Sequence, residues 1–177
     1  MKLHLGCGDV YLKDYLNIDI DGKVGKPKRA SSLNNYYKGR RIGNQKEKLV
    51  DVLCDIRFLT SELDIEENSV DEIVCVQTLE HFTFEEARDI LKDCLYLLKE
   101  GGILFLDIPD VLKKTGNEEW MLRLIYGSQK DYYSIHKSGY TMKTIVKLLK
   151  EIGFKKIEFI KLFKHDNYPS ITLKAIK

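Results

Sequence analysis

Lys2-Leu3-His4-Leu5-Gly6-Cys7-Gly8 and Tyr15-Leu16-Asn17-Ile18-Asp19-Ile20-Asp21 stand close together at the start of the chain. Each pairs a short apolar run with a chemical punctuation mark, glycines in the first and acids in the second. Lys2–Leu5 is a strand by this reading, and Gly6 and Gly8 allow a tight bend whose backbone can approach a ligand with free N–H donors. Two glycines alone are a weak signal. A dinucleotide fingerprint needs a third, where Tyr11 stands, and no G-x-x-x-x-G-K-[ST] loop occurs. The interval between the two runs also has no room for a full helix whose N-terminus could hold a pyrophosphate. The bend therefore suits a ligand without a phosphate bridge.

Further strands are predicted over Leu49–Cys54, Glu72–Val76, Gly102–Ile108, Ile157–Leu162 and Ser170–Ile176. They are short, β-branched and apolar on both faces, as buried parallel strands are. Thr83 and Glu86 form a capping box ahead of Phe84, Ala87, Ile90, Leu91, Cys94, Leu95 and Leu98, which recur at helical spacing up to Gly101. Thr141 caps a second helix with Met142, Ile145, Val146, Leu149 and Ile152 on one face, ended by Gly153. Asn117 caps a third, running to Tyr126. The alternation predicts an α/β fold: a Rossmann-like, mainly parallel seven-stranded sheet with a shortened first crossover. Phe163–Pro169 is too short for a parallel crossover, so the last two strands form a C-terminal antiparallel hairpin. One domain over 1–177 is expected from the length, with a basic loop insertion at 22–48.

In such sheets ligands bind beyond the carboxyl ends of the strands. The second strand ends in Asp19, which could accept two hydrogen bonds from vicinal ribose hydroxyls; a solvated strand-end acid is the plainer alternative. The third ends in Cys54-Asp55-Ile56, an acid for an exocyclic amine and an apolar cover for a purine face. The fourth runs into Gln77-Thr78-Leu79-Glu80-His81-Phe82. Gly-x-Gly, Asp and Asp on successive strand ends match an adenosine ligand without phosphates.

The chain resembles the class I S-adenosylmethionine-dependent methyltransferases, in particular small type 11-like members. The resemblance rests on Leu3–Gly8, Tyr15–Asp19, Asn68–Ile73, Leu79–Phe82, Leu98–Gly102, Ile108–Asp110, Tyr126–Ser128 and His136–Tyr140. It implies S-adenosyl-L-methionine as cofactor. It implies that Gly6, Cys7 and Gly8 pack against the methionyl part, Asp19 holds the ribose with Ile20 beside the adenine, Asp55 and Ile56 contact the adenine, and Gln77 lies near the transferable methyl. His4 departs from the pattern, because members often carry there an acid that reaches the methionyl amine.

Two histidines are candidates for general base, His81 after the fourth strand and His136 before the Thr141 helix, since an imidazole titrates near neutrality. The plainer roles are a helix-entry residue for His81 and a loop residue for His136; His165 is expected in solvent. Gln77, Glu80 and His81 raise the question of a divalent cation, but Gln is a poor ligand and carboxylates are few, so no required metal is expected. Trp120, Tyr132 and Tyr133 could line an acceptor pocket or be core.

Segment 22–48 carries +8, nine basic residues against Glu47, which leaves −6 for the rest of a chain whose net charge is +2. It reads as a long loop, either a solvated insertion or an arm for an anionic substrate. The expected acceptor is a small molecule or a sugar of a polysaccharide. A nucleic-acid methyltransferase is the alternative, disfavoured by Gln77-Thr78-Leu79-Glu80 where base-amino enzymes carry Asn or Asp before Pro-Pro, and by few arginines. A non-catalytic cofactor-binding module is the third reading. Cys7, Cys54, Cys75 and Cys94 form no C-x-x-C pair and read as buried hydrophobes in a reducing compartment, so the protein is expected in the cytoplasm. No stretch of 18 apolar residues exists, which excludes a helical membrane span.

Overall fold

The computed structural model describes residues 1–37, 47–113, 117–160 and 169–177. In chain order the elements are β1 (Lys2–Leu5), β2 (Leu16–Asp19), β3 (Lys23–Val24), α1 (Leu33–Tyr37), β4 (Leu49–Val50), β5 (Val52–Leu53), α2 (Leu59–Glu62), β6 (Val70–Val76), α3 (Phe84–Leu97), β7 (Leu98–Pro109), α4 (Glu118–Tyr126), α5 (Met142–Ile152), β8 (Lys156–Phe159) and β9 (Ser170–Ile176). The main sheet has seven strands in the order β5-β2-β1-β6-β7-β9-β8. β5, β2, β1, β6 and β7 are mutually parallel, while β9 runs antiparallel to both β7 and β8. The α/β, Rossmann-like reading holds, and the hairpin is antiparallel with its last strand inserted beside β7.

Side-chain alternation explains why the central strands are apolar throughout. Ile73 and Cys75 of β6 join the larger core with Leu3, Leu5, Leu104 and Leu106, beneath α3 and α5. Val74 and Val76 face the other way, toward Val10, Leu12, Tyr15 and the α1 residues Leu33 and Tyr36. A period of two with both faces covered leaves no polar stripe. The Thr83–Glu86 capping box forms as the spacing predicts, with Glu86 N–H donating to Thr83 Oγ1 at 3.2 Å and Thr83 N–H to Glu86 Oε2 at 2.8 Å. A cap of this kind contributes about 1 kcal/mol. α3 buries Ala87, Ile90, Leu91, Cys94 and Leu97. All four cysteines are free and buried.

Four expectations are corrected. The third strand is not continuous over Leu49–Cys54. Asp51 interrupts it, because its carboxylate turns back to accept from Asn17 N–H (2.9 Å), Asn17 Nδ2 (3.0 Å) and the Tyr11 hydroxyl. β4 consequently pairs with β3 in a separate two-stranded sheet, and only Val52–Leu53 joins the main one. α3 ends at Leu97 rather than Gly101, and β7 begins at once. Gly101, at φ 75°, lies where the register between β6 and β7 shifts, a bulge rather than a helix stop. The 22–48 segment is not one uniform loop. β3 and α1 lie in it, and buried Ser31 is tied to the 11–13 turn by Lys13 N–H to Ser31 O and Ser31 N–H to Tyr11 O, both 2.8 Å. Lys38, Arg40, Arg41, Lys46, His165 and the turn-forming residues 163–168 lie outside the described residues. Finally, a short α2 follows β5 where no helix is predicted, entered through a 3-10 turn at Ile56–Phe58.

Candidate active site

The chain moves outward from β1 to β2 and β5, then returns past β1 to β6. That reversal opens a crevice at the carboxyl ends of the strands. The crevice is a cleft of about 790 Å³, bounded by Gly6, Gly8, Asp9, Asp19, Ile20, Lys48, Asp55, Ile56, Gln77, Glu80, His81, Tyr132, Tyr133 and His136 among others. A small-molecule site occupies about 300–1,000 Å³, so this one can hold a nucleoside-sized ligand and a second molecule.

The β1 bend forms the first wall. Gly6 and Gly8 adopt φ 61° and 55°, a left-handed backbone that side chains disfavour. A Cβ on Gly6 would stand 2.3 Å from Thr78 Cγ2, whereas one on Gly8 would meet nothing within 4 Å. The first glycine lets β1 and β6 close up, and the second faces open cleft. The bend differs from expectation in its donors. Cys7 N–H donates to Ile18 O at 3.1 Å, and Gly8 N–H to Asp19 Oδ2 at 2.8 Å, so neither is free. Cys7 is 3% exposed and does not line the cleft; its side chain belongs to the core, where burial pushes the thiol up to about 12.

Asp19 sits at the tip of β2 and is largely buried. Its Oδ2 takes the Gly8 amide, and its Oδ1 accepts from Lys48 Nζ at 2.7 Å. Asp55 caps the turn into α2 and accepts from Arg57 N, Nε and Nη2, while Arg57 Nη1 reaches Glu86 at 2.8 Å. Burial pulls the Asp55 carboxyl up, but the Arg57 bonds and charge outweigh it and hold the group below the ordinary range. Both acids predicted for an adenosine thus have basic partners within the chain. Ile20 is exposed at the cleft and Ile56 buried beneath it. His4 is fully buried, its Nδ1 3.1 Å from Asn17 Oδ1, and burial lowers it to about 4. It is neutral and lines no part of the cleft.

The opposite wall begins at the end of β6. Gln77 holds φ 49°, a strained value for a residue with a side chain, and its Nε2 donates to Asp107 Oδ1 at 2.7 Å. The next turn lifts Glu80 and His81 toward the segment after α4. There Lys137 N–H and Ser138 N–H both donate to Glu80 O (2.8 and 3.1 Å), pinning the two segments together. The rings of His81 and His136 meet edge to face, 4.9 Å between centroids. Burial lowers both imidazoles from their ordinary value. Glu80 is 1% exposed, and burial raises its carboxyl to about 8. Tyr132 and Tyr133 are exposed at the rim rather than core, with Lys137 Nζ 4.2 Å above the Tyr132 ring, whereas Trp120 of α4 is absent from the lining.

The structure therefore gathers Gly6, Gly8, Asp19, Ile20, Asp55, Ile56, Gln77, His81 and His136 around one cleft and leaves Cys7 outside. Lys48, Arg57, Asp9 and the orphaned carboxylate of Glu80 escape the sequence reading.

A sheet of this order with a glycine bend and a strand-end acid at its switch point defines the class I S-adenosylmethionine-dependent methyltransferases. The sequence pattern of the methyltransferase-domain family matches residues 3–106. The chain belongs to that family; it is a methyltransferase whose methyl donor is S-adenosylmethionine. No curated protein matches it. Solved structures of similar fold include a SAM-dependent methyltransferase from Archaeoglobus fulgidus, 17% identical, with a TM-score of 0.59 over 99% of this chain and 85% of that one. A SAM-dependent methyltransferase from Thermotoga maritima is 13% identical, with a TM-score of 0.59 over 100% and 81%. The 1,6-didemethyltoxoflavin N1-methyltransferase of Burkholderia thailandensis, solved with S-adenosylhomocysteine, is 16% identical, with a TM-score of 0.50 over 75% and 52%. Among the described residues no helix is long and apolar enough to cross a membrane.

Proposed function

We propose that the protein methylates a small-molecule or sugar acceptor, with the cofactor against the glycine bend and the acceptor against Glu80, His81 and His136. The observation that carries this reading is the cleft itself, one wall built from Gly8, Asp19 and Ile56 and the other from the histidine pair. The first wall fits the donor. The open space in front of Gly8 admits a chain of atoms close to the backbone. Asp19 accepts the ribose hydroxyls, sharing Oδ1 with Lys48. Ile20 and Ile56 flank the adenine, and Asp55 takes its amine on lone pairs that Arg57 also uses. Asp9, in the lining directly after the bend, supplies the negative charge toward the methionyl ammonium that neutral His4 does not.

When bound, S-adenosylmethionine supplies a methyl already activated on sulfur, whose C–S bond electrons return to the sulfur as the acceptor's lone pair takes the carbon. The chain's own contribution is then proximity and alignment, worth up to about 7–11 kcal/mol in favourable cases. His81 and His136, both neutral, are placed to receive the acceptor's proton. Gln77, fixed by Asp107, shapes the floor between the two ligands. The exposed rings of Tyr132 and Tyr133 at the rim suit the apolar face of a sugar or a small ring better than a nucleic-acid strand. Lys23 and Lys48 of the basic segment are engaged by Glu47 and Asp19 rather than presented to phosphates.

The test is transfer of labelled methyl from S-adenosylmethionine into glycan, small-molecule and RNA pools. Label in a glycan or small-molecule fraction supports the reading. Label confined to RNA, with turnover falling steeply as salt rises, would overturn the acceptor assignment.

A further inference from the structure

Three side chains that can each present a lone pair converge at one end of the cleft. His81 lies with Nδ1 3.0 Å from Ile135 O, and His136 with Nδ1 2.9 Å from Leu124 O. A carbonyl has no proton to give, so each neutral ring carries its hydrogen on Nδ1 and presents Nε2 as a lone pair. Glu80 is buried, and neither of its carboxylate oxygens has a hydrogen-bond partner among the described residues. One ligand atom from each of Glu80, His81 and His136 lies within 4.8 Å of the others, with His136 Nε2 3.9 Å from Glu80 Oε1. Buried polar atoms are ordinarily paired, and a group left unpaired calls for an explanation. A proton on Glu80 shared with His136 Nε2 would pair those two groups and leave the His81 lone pair over. A cation satisfies all three together.

We propose that Glu80, His81 and His136 bind one divalent transition-metal ion, of the Zn²⁺ and Co²⁺ kind, at the acceptor end of the cleft. Two imidazoles and one carboxylate select such ions over Mg²⁺ or Ca²⁺, which prefer oxygen alone. Three protein ligands leave a coordination position open, as catalytic sites do. Each imidazole is oriented through its other nitrogen by a backbone carbonyl, the outer-shell arrangement of metal-bound histidines. The backbone is built to hold them. Glu80 O ties its turn to Lys137 and Ser138. Gly127 permits the close approach of His136, since a Cβ there would lie 2.9 Å from His136 Cδ2 and 2.1 Å from Ser134 O. Tetrahedral ligands at about 2.0–2.1 Å from a metal stand about 3.3 Å apart, so binding draws the three side chains together by about an ångström. The sequence hides this site because its third ligand, His136, comes from a different segment, while Gln77 draws attention to the wrong partner.

Metal binding does not depend on the methyl-transfer reading; its catalytic use does. An acceptor hydroxyl on the open position becomes more acidic, as metal-bound water does, and its proton leaves to solvent. The base role of the histidines then belongs to the metal-free protein.

The test is titration of the metal-stripped full chain with Co²⁺, followed by the visible absorption of the bound ion, beside calorimetry with S-adenosylhomocysteine on the same samples. One equivalent of Co²⁺ is expected. Glu80→Gln, His136→Asn and His81→Asn should each weaken it more than about 100-fold, beyond the 10–100-fold that follows loss of an outer-shell partner. All three should bind S-adenosylhomocysteine as the wild type does, which also shows them folded; three separate variants guard against one that misfolds. A wild type that binds S-adenosylhomocysteine but no Co²⁺ overturns the proposal, as does Co²⁺ binding undiminished in folded variants. Co²⁺ binding that depends on these residues, in a chain that binds no S-adenosylhomocysteine, upholds the metal site while the cofactor assignment falls.

Discussion

The two ends of the cleft handle their polar groups in opposite ways. At the end proposed for the cofactor the ionic groups are partnered from within, although the buried Nε2 of His4, behind the bend in β1, is not. Gly8 N–H is on Asp19, Lys48 is on Asp19, and Arg57 is on Asp55 and Glu86. At the end proposed for the acceptor Glu80 is buried with both oxygens unpaired, beside His81 and His136, whose Nδ1 atoms face backbone carbonyls. The first end is a scaffold that stands without its ligand. The second carries unsatisfied groups, which a fold retains where chemistry uses them. Substitutions of the glycines and acids at the first end should therefore harm stability, cofactor binding or both, and those at the second should harm turnover while leaving both intact.

The largest effect expected from this contrast is on catalysis. His81→Asn or His136→Asn should lower kcat for methyl transfer by about 10²–10⁴-fold, the range for losing a proton-handling group, with affinity for S-adenosylhomocysteine unchanged. Steady-state kinetics beside calorimetry reads both; turnover within threefold of wild type breaks the contrast.

The scaffold end has its own acid limit. Burial holds His4 near pKa 4 in the fold against about 6.5 unfolded. As pH falls below about 6.5 the unfolded chain takes the proton first, so the fold loses up to about 3 kcal/mol by pH 4; above 6.5 the contribution is intact. Urea unfolding of wild type and His4→Gln across this window should show a gentler acid slope in the variant. Parallel curves would mean that His4 takes its proton in the native state as readily as in the unfolded one.

Gly6→Ala should destabilise by about 2 kcal/mol or more, because a left-handed φ and the 2.3 Å approach to Thr78 act together. Gly8→Ala should cost about 1 kcal/mol from φ alone, yet weaken cofactor binding, since its Cβ enters the cleft. Equal stability losses would show that the two glycines do the same work.

The smallest effect concerns Lys48. Removing it frees Asp19 Oδ1 for the ribose, so Lys48→Met should tighten S-adenosylhomocysteine binding about threefold, the size of a partly exposed ion pair. Weaker binding would make Lys48 a ligand contact instead of a competitor.

The same contrast governs what could be read from the chain. The scaffold end is made of consecutive strand tips, so Gly6, Gly8, Asp19 and Asp55 announce themselves by local spacing, and the family pattern over 3–106 contains them all. The acceptor end is assembled from turn 79–81 and segment 127–137, and the family match ends before His136. No local periodicity reports that Glu80 is buried or that it faces His136. Side-chain parity defeated the reading at Cys7, which follows the same bend but points into the core. Long-range side-chain bonding defeated it at Leu49–Cys54, where Asp51 turns back to Asn17 and Tyr11 and breaks a strand that composition alone makes continuous.

The central claim is that the donor lies where the glycine bend meets Asp19. Isothermal calorimetry of the wild type and Asp19→Ala with S-adenosylhomocysteine tests it most directly. One site per chain with micromolar affinity in the wild type, weakened at least about 30-fold by the substitution in a protein that still unfolds cooperatively, is the predicted result. Equal affinity in the two proteins would contradict it.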